Sequence, residues 1–174
     1  AGYISMLISL GTIVSTLFSH RLVQKRGVGK IVSVSAATTA AALFGISLAP
    51  SFLWLLLFAL PLGLGSGAVD SALNAFVAEN YEARHMNWLH SFWGLGTVLS
   101  PALVSVLTST GQQWRSGYKS ISLMQFALAG VLFLSLPLWK KHIPGKVSFT
   151  KQSIFAPLRS KGAGLCILVF FLYA

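Results

Sequence analysis

The sequence predicts an all-α polytopic transmembrane bundle, on three observations. Of its 174 residues, 55% are hydrophobic and only 9% charged, whereas soluble domains carry roughly 25% charged residues. The mean hydropathy is +0.74, and the apolar residues fall into runs near the roughly 20 residues that a spanning helix needs. The 13 Lys and Arg side chains sit in the short gaps between those runs, where a membrane protein keeps its cations. The net charge of +10 is therefore a topology signal, and no nucleic-acid partner is expected.

The first apolar run covers residues 1–19, and the basic segment 20–30 (HRLVQKRGVGK) ends it. Residues 31–49 form a second span rich in Ala, Ser and Thr. Small side chains let helix backbones approach closely in lipid, so this span is expected to pack between neighbours. Ala49, Pro50 and Ser51 make a tight turn, because proline disfavours helical backbone at the residue before it. The third span runs from Phe52 to Ala78, longer than a bilayer requires, so it is expected to tilt or to protrude.

A polar connection at 79–87 precedes a fourth span over 88–108, and a loop over 111–119 precedes a fifth over 121–139. The segment 140–161 carries Pro144, Gly145 and Pro157 and is expected to be a linker. Residues 162–174 are expected to start a further, truncated helix. The chain begins without Met inside one apolar run and stops inside another, so a fragment of a longer protein is expected. No signal peptide is expected, since no basic region precedes the first run.

The cations set an orientation. Arg21, Lys25, Arg26 and Lys30, then Arg84, then Lys140, Lys141, Lys146, Lys151, Arg159 and Lys161 fall in alternate connections, against Arg115 and Lys119 in the others. By the positive-inside rule, segments 20–30, 79–87 and 140–161 are cytoplasmic in a multi-pass protein of the cell (inner or plasma) membrane. Glu79 and Glu82 fall in one of these connections, which leaves Asp70 as the acid within a span.

An intramembrane carboxylate costs roughly 2.5–3.5 kcal/mol on insertion scales and is a functional candidate by default. Ser66, Asp70 and Asn74 are spaced i, i+4, i+8 and share one helical face. Gly63 and Gly67 add a GxxxG spacing beside them, which admits a close helix. Bonding to a hydroxyl on a neighbouring helix is the structural alternative for Asp70. On the fourth span His90, Gly94, Thr97 and Pro101 recur at helical spacing, with Gly96 beside them. For a connection that turns near Ala83, Asn74 and His90 stand at similar depth, and Asp70 lies roughly 9 Å deeper than His90. Direct contact of Asp70 with His90 is not expected; a relay through Asn74 or water is the alternative.

Ser5, Ser9, Thr12 and Thr16 form a stripe on the first span, facing a cavity or bonding their own backbone. Gln125 is the strongly polar side chain of the fifth span and either joins helices or binds a ligand. Trp54, Trp88, Trp114 and Trp139 lie near span ends, as membrane-interface aromatics do. Trp93 lies inside a span, where it packs or stacks on a sugar ring. Cys166, the single cysteine, excludes a disulfide framework or a cysteine-based zinc site. Glu82, His85 and His90 make no HExxH or comparable ligand set, so neither an enzyme nor a metal or other cofactor is expected.

These residues carry a resemblance. Gly63, Gly65, Asp70, Asn74 and Phe76 on the third span, followed by LHSFWGLGTVLSP from Leu89 to Pro101, resemble the fourth and fifth helices of the major facilitator superfamily. Within it they resemble the branch containing fucose permease and the sodium-glucose transporter-like proteins, where an acid and an Asn four residues later occupy helix four. RLVQKRGVGK from Arg21 to Lys30 is similar to the superfamily's basic motif between helices two and three, with Gln24 where an Asp is usual and Lys25 where an Arg is usual. Ser100, Pro101, Ala102 and Leu103 stand where drug–proton antiporters carry Gly-Pro and paired glycines.

The resemblance implies a partial superfamily fold: residues 1–139 as an N-terminal bundle of five spans without the first helix, 140–161 as the linker between halves, and 162–174 as the start of helix seven. It implies alternating access with a solute site between the halves. The expected function is a secondary transporter of a small polar solute, a sugar, coupled to a proton or sodium ion. Asp70 and His90 are the expected coupling residues; Asn74, Ser66, Gln125 and Trp93 are the expected solute contacts. The expected partners are the solute, the coupling ion, the lipid bilayer and the remainder of the chain. Export of drugs or other metabolites, or a non-transporting sensor or scaffold on the same fold, are the alternatives.

Overall fold

The computed structural model describes residues 2–109 and 113–139, within one compact unit spanning Ala1–Ile143. The expected linker at 140–161, the expected helix start at 162–174 and Cys166 lie outside the described residues. The described residues form α1 (Gly2–Arg26), α2 (Val28–Ser47), α3 (Phe52–Asn80), α4 (Ala83–Ser109), α5 (Trp114–Leu134) and the short α6 (Leu136–Trp139). The first five are each long and apolar enough to cross a membrane, which is the polytopic bundle that composition and run length predict.

The connections are shorter than the polar segments suggest. Segment 20–30 is almost wholly helical: α1 continues to Arg26 and α2 starts at Val28, with only Gly27 between them. Gly27 has φ +83°, a backbone region that costs glycine nothing. Lys25 and Arg26 fill the last turn of α1, where cations complement the helix dipole. Segment 79–87 reduces to Tyr81 and Glu82, because α3 runs to Asn80 and Tyr81 turns to extended backbone at φ −132°, ψ 165°. The fifth helix starts at Trp114 rather than 121 and breaks at Ser135. Pro137, inside α6, has no N–H to continue the ladder and disfavours helix before it.

Packing follows side-chain size. α2 is the most covered helix, buried at Gly29, Ile31, Val32, Ser33, Ala36, Thr39 and Ala40 among others, and it lies against α3 on one side and α5 on the other. Ile31 and Val32 of α2 meet Ala68 and Ala72 of α3 in a buried cluster, with Val23, Val28, Val69, Leu73 and Leu132 around it. A Cβ on Gly65 would press on Thr39 and the Ser35 carbonyl, so glycine sets the α2–α3 spacing. Large apolar side chains point outward, among them Leu53 at 75% and Leu134 at 83% exposure, as a lipid-facing surface requires.

The two ends of the bundle are tied separately. The Arg115 guanidinium donates to the Ala49 carbonyl at 2.7 Å and lies 4.7 Å over the Trp114 ring. This joins the start of α5 to the α2–α3 turn. At the other end Trp139 packs against Gly29 and lies 5.1 Å from the Phe76 ring. Trp54 donates its indole N–H to the Gly45 carbonyl at 2.8 Å. Trp54 and Trp139 are therefore pinned to neighbouring helices as well as placed near span ends.

Candidate functional site

α1 and α3 run side by side in the same direction, and glycine brings them to backbone contact. A Cβ on Gly63 would collide with the Ile8 carbonyl, one on Gly67 would lie 2.6 Å from the Thr12 carbonyl, and one on Gly11 2.7 Å from that of Leu60. The GxxxG spacing thus does what it does in lipid, removing side chains so that helices touch. The Thr12 hydroxyl sits in this seam, 3.0 Å from its own-helix Ile8 carbonyl, 3.3 Å from the Gly63 carbonyl and 3.5 Å from Ser66 Oγ. Ser66 also bonds the Gly63 carbonyl at 3.1 Å, so its hydroxyl serves the α1–α3 joint.

One and two turns further along α3 stand Asp70 and Asn74. The Asn74 amide Nδ2 donates to an Asp70 carboxylate oxygen at 3.0 Å, the contact that i, i+4 spacing on a helix allows. Asp70 is exposed on the surface of this bundle and has no cationic partner among the described residues, where the ion pair is Arg84 with Glu82 at 3.0 Å. The other half of the Asn74 amide, Oδ1, is buried without a hydrogen-bond partner. The site therefore combines an accessible acid with an amide whose oxygen is unsatisfied.

His90 does not join it. α4 makes only slight contact with α3, and none of its residues is buried. His90 is exposed and shares no hydrogen bond with Asp70 among the described residues. The turn at Tyr81–Glu82 leaves Asn74 about seven and His90 about eight residues from it, so they remain at similar depth. The glycines of α4 face open space: a Cβ on Gly94 or Gly96 would meet nothing within 4 Å. Trp93 is 68% exposed and stands on that same uncovered helix.

Gln125 is placed differently from the other expected solute contacts. Its amide Nε2 donates to Thr39 Oγ1 at 2.5 Å, from α5 to the buried face of α2. The same side chain borders an apolar groove of about 400 Å³ between α4 and α5, with Leu99, Leu103, Met124 and Leu128. A second hollow of about 480 Å³ lies along α4 at Trp88, Ser91, Phe92 and Leu95. Neither is bordered by Asp70 or Asn74.

On α1 the buried hydroxyls are Ser15 and Ser19, on the face of Gly11; Ser5, Ser9 and Thr16 are exposed. The stripe through Ser5, Ser9, Thr12 and Thr16 is thus not the buried one. Sequence reading passed over Ser15 and Ser19, and the signal that finds them is their i+4 and i+8 spacing from Gly11, the residue that touches α3.

Five membrane-length helices, with glycine and hydroxyl contacts joining α1 to the helix that carries Asp70, define a polytopic helical membrane protein. The family model of the Major Facilitator Superfamily matches residues 1–174, and the chain belongs to that superfamily, whose members are membrane transporters and in general not enzymes. No curated protein and no solved structure matches the chain.

Proposed function

We propose that this chain contributes the first-half bundle of a secondary transporter that moves a small polar solute, a sugar, and couples its movement to a cation, with Asp70 as the coupling carboxylate. The observation that carries the reading is an acid in a membrane-spanning helix that is exposed, has no ion-pair partner among the described residues, and holds an adjacent amide at 3.0 Å. A carboxylate used only to glue helices would be expected to spend its oxygens on a neighbouring helix. Asp70 instead bonds a residue of its own helix and remains open to an ion or solute.

In this reading protonation removes a charge that is costly inside the membrane, and a solute hydroxyl then bonds the neutral acid or the Asn74 amide. Occupancy and conformation become linked because each form favours a different arrangement of the two halves. Ser66 and Trp93 border the solute path, and His90 serves protons arriving from the cytoplasmic side. The cation-rich segments 20–30, 79–87 and 140–161 face the cytoplasm of a cell (inner or plasma) membrane.

The test is transport by the intact protein reconstituted in proteoliposomes. Asp70→Asn is expected to abolish accumulation against a gradient while sparing solute counterflow, which needs no net ion movement. Wild-type accumulation by Asp70→Asn would remove Asp70 from coupling. Absence of any solute-dependent flux in the wild-type protein would favour a sensor or scaffold.

A further inference from the structure

α1 outlasts its apolar stretch, and the overhang is basic. Arg21, Lys25 and Arg26 stand on its last two turns and Lys30 on the first turn of α2, just past the bend at Gly27. All four are exposed. None forms an ion pair among the described residues, where Arg84 takes Glu82. Gln24, between them, is neutral and meets a ring nitrogen of His20 at 3.1 Å. Like charges four residues apart on a helix repel one another, so an anion that joins the cluster is stabilised by it.

The helix sets where these cations stand. Leu10, Val14, Leu17, Arg21 and Lys25 are spaced i, i+4, i+7, i+11 and i+15, the repeat of one helical face. Leu10, Val14 and Leu17 are exposed at 47%, 38% and 53%, with Phe18 beside them at 52%. This face is turned away from Gly11, Ser15 and Ser19, the buried side of α1. An apolar stripe therefore runs along the helix and ends in two cations, whose side chains are near enough to reach one group. Their long stems follow the apolar surface and carry the charge to its edge.

We propose that this face of α1 binds an anionic phospholipid, with an acyl chain along Leu10, Val14 and Leu17 and the phosphate between Arg21 and Lys25. The Arg21 guanidinium offers two parallel N–H donors to phosphate oxygens, and the Lys25 ammonium adds a point charge. Arg26 and Lys30 contribute attraction at the surface rather than contact. The charge of the cluster selects the headgroup. A zwitterionic headgroup carries its own ammonium, and residues 20–30 contain no carboxylate to receive it; a headgroup of net negative charge meets no such conflict. The inference rests on neither the coupling role of Asp70 nor the orientation proposed above.

The experiment is native mass spectrometry of the purified intact protein titrated with phosphatidylglycerol, phosphatidylcholine or soluble glycerol phosphate. Wild type is expected to bind phosphatidylglycerol about tenfold or more tightly than phosphatidylcholine. Arg21→Gln with Lys25→Gln is expected to weaken phosphatidylglycerol binding about twentyfold, from about fivefold per cation near a membrane surface, and to leave phosphatidylcholine binding unchanged. Arg21→Lys with Lys25→Arg keeps both charges and is expected to stay close to wild type. Lys119→Gln, near the end of the bundle that Arg115 ties to Ala49, is expected to do the same. Glycerol phosphate, which has no chain for the stripe, is expected not to bind at concentrations that saturate the site with phosphatidylglycerol. Equal affinity of wild type for the two lipids, undiminished phosphatidylglycerol binding by the double Gln variant, or an equal loss in Lys119→Gln overturns the site. Loss in the charge-conserving variant overturns its electrostatic basis, and glycerol phosphate binding as tight as that of phosphatidylglycerol overturns a lipid as the ligand.

Discussion

Asn74 turns the nitrogen of its amide to the Asp70 carboxylate at 3.0 Å and leaves its oxygen buried and unpaired. One side chain thus holds the acid on the open surface of α3 through its nitrogen while its oxygen lies buried. Asn74→Leu removes the amide while keeping similar bulk. It is expected to cut solute uptake about tenfold or more, the equivalent of one hydrogen bond to a charged group at roughly 1.5–3 kcal/mol. Initial uptake rates at matched protein levels in vesicles check this, and a rate within twofold of wild type would contradict it.

Gly63 has no room for a methyl group, because its Cβ would collide with the Ile8 carbonyl. Gly63→Ala is expected to destabilise the bundle by about 1–3 kcal/mol, as overpacking does when the obstacle is backbone. Gly94→Ala meets nothing within 4 Å and is expected to be neutral or to stabilise by up to about 1 kcal/mol through helix propensity. Melting temperatures of the two variants in the same detergent, compared with wild type, make the check.

The bond from Gln125 to Thr39 spans α5 and α2. A double-mutant cycle of Gln125→Ala and Thr39→Val is expected to give a coupling of about 0.6–1.7 kcal/mol, the range of interhelical hydrogen bonds in membranes. If this bond is the main task of Gln125, stability falls in Gln125→Ala while the solute KM stays constant. A raised KM at unchanged stability would instead make Gln125 a solute contact.

Arg115 ties the start of α5 to the Ala49 carbonyl while stacking on Trp114. Arg115→Ala is expected to cost about 1.5 kcal/mol, at the low end for a charged donor because the group is only half-buried. Arg115→Lys is expected to recover only part, since lysine lacks the planar fork and stacks less well. Chemical-denaturant midpoints in lipid nanodiscs measure the difference.

Much of the architecture was legible in the chain. Run length and hydropathy identified five spans, the Ala, Ser and Thr content of 31–49 marked the central helix, and Gly63 with Gly67 marked a close contact. The connections were misjudged because polarity is a poor guide to helix ends in a membrane protein. His20 to Arg26 and Ala83 to Asn87 are polar and still helical, since a helix leaving the bilayer keeps its backbone bonds. Its true stops are local: Gly27 at positive φ, Tyr81 in extended backbone, and the break at Ser135 before Pro137.

The sequence by itself determined the class of this protein, the family whose pattern it carries, and the presence of one acid with an amide on the same face of a spanning helix. These depend on composition, spacing and the 3.6-residue period, which are properties of single segments. Only the tertiary structure decided that α3 packs on α1 at Gly63, Ser66 and Gly67 while α4 with His90 stays uncovered, that Gln125 bonds Thr39, and that Ser15 and Ser19 are the buried hydroxyls of α1. Those outcomes depend on the register between helices. Glycine backbone contacts at Gly11, Gly63 and Gly67 set it, and no single segment contains the information.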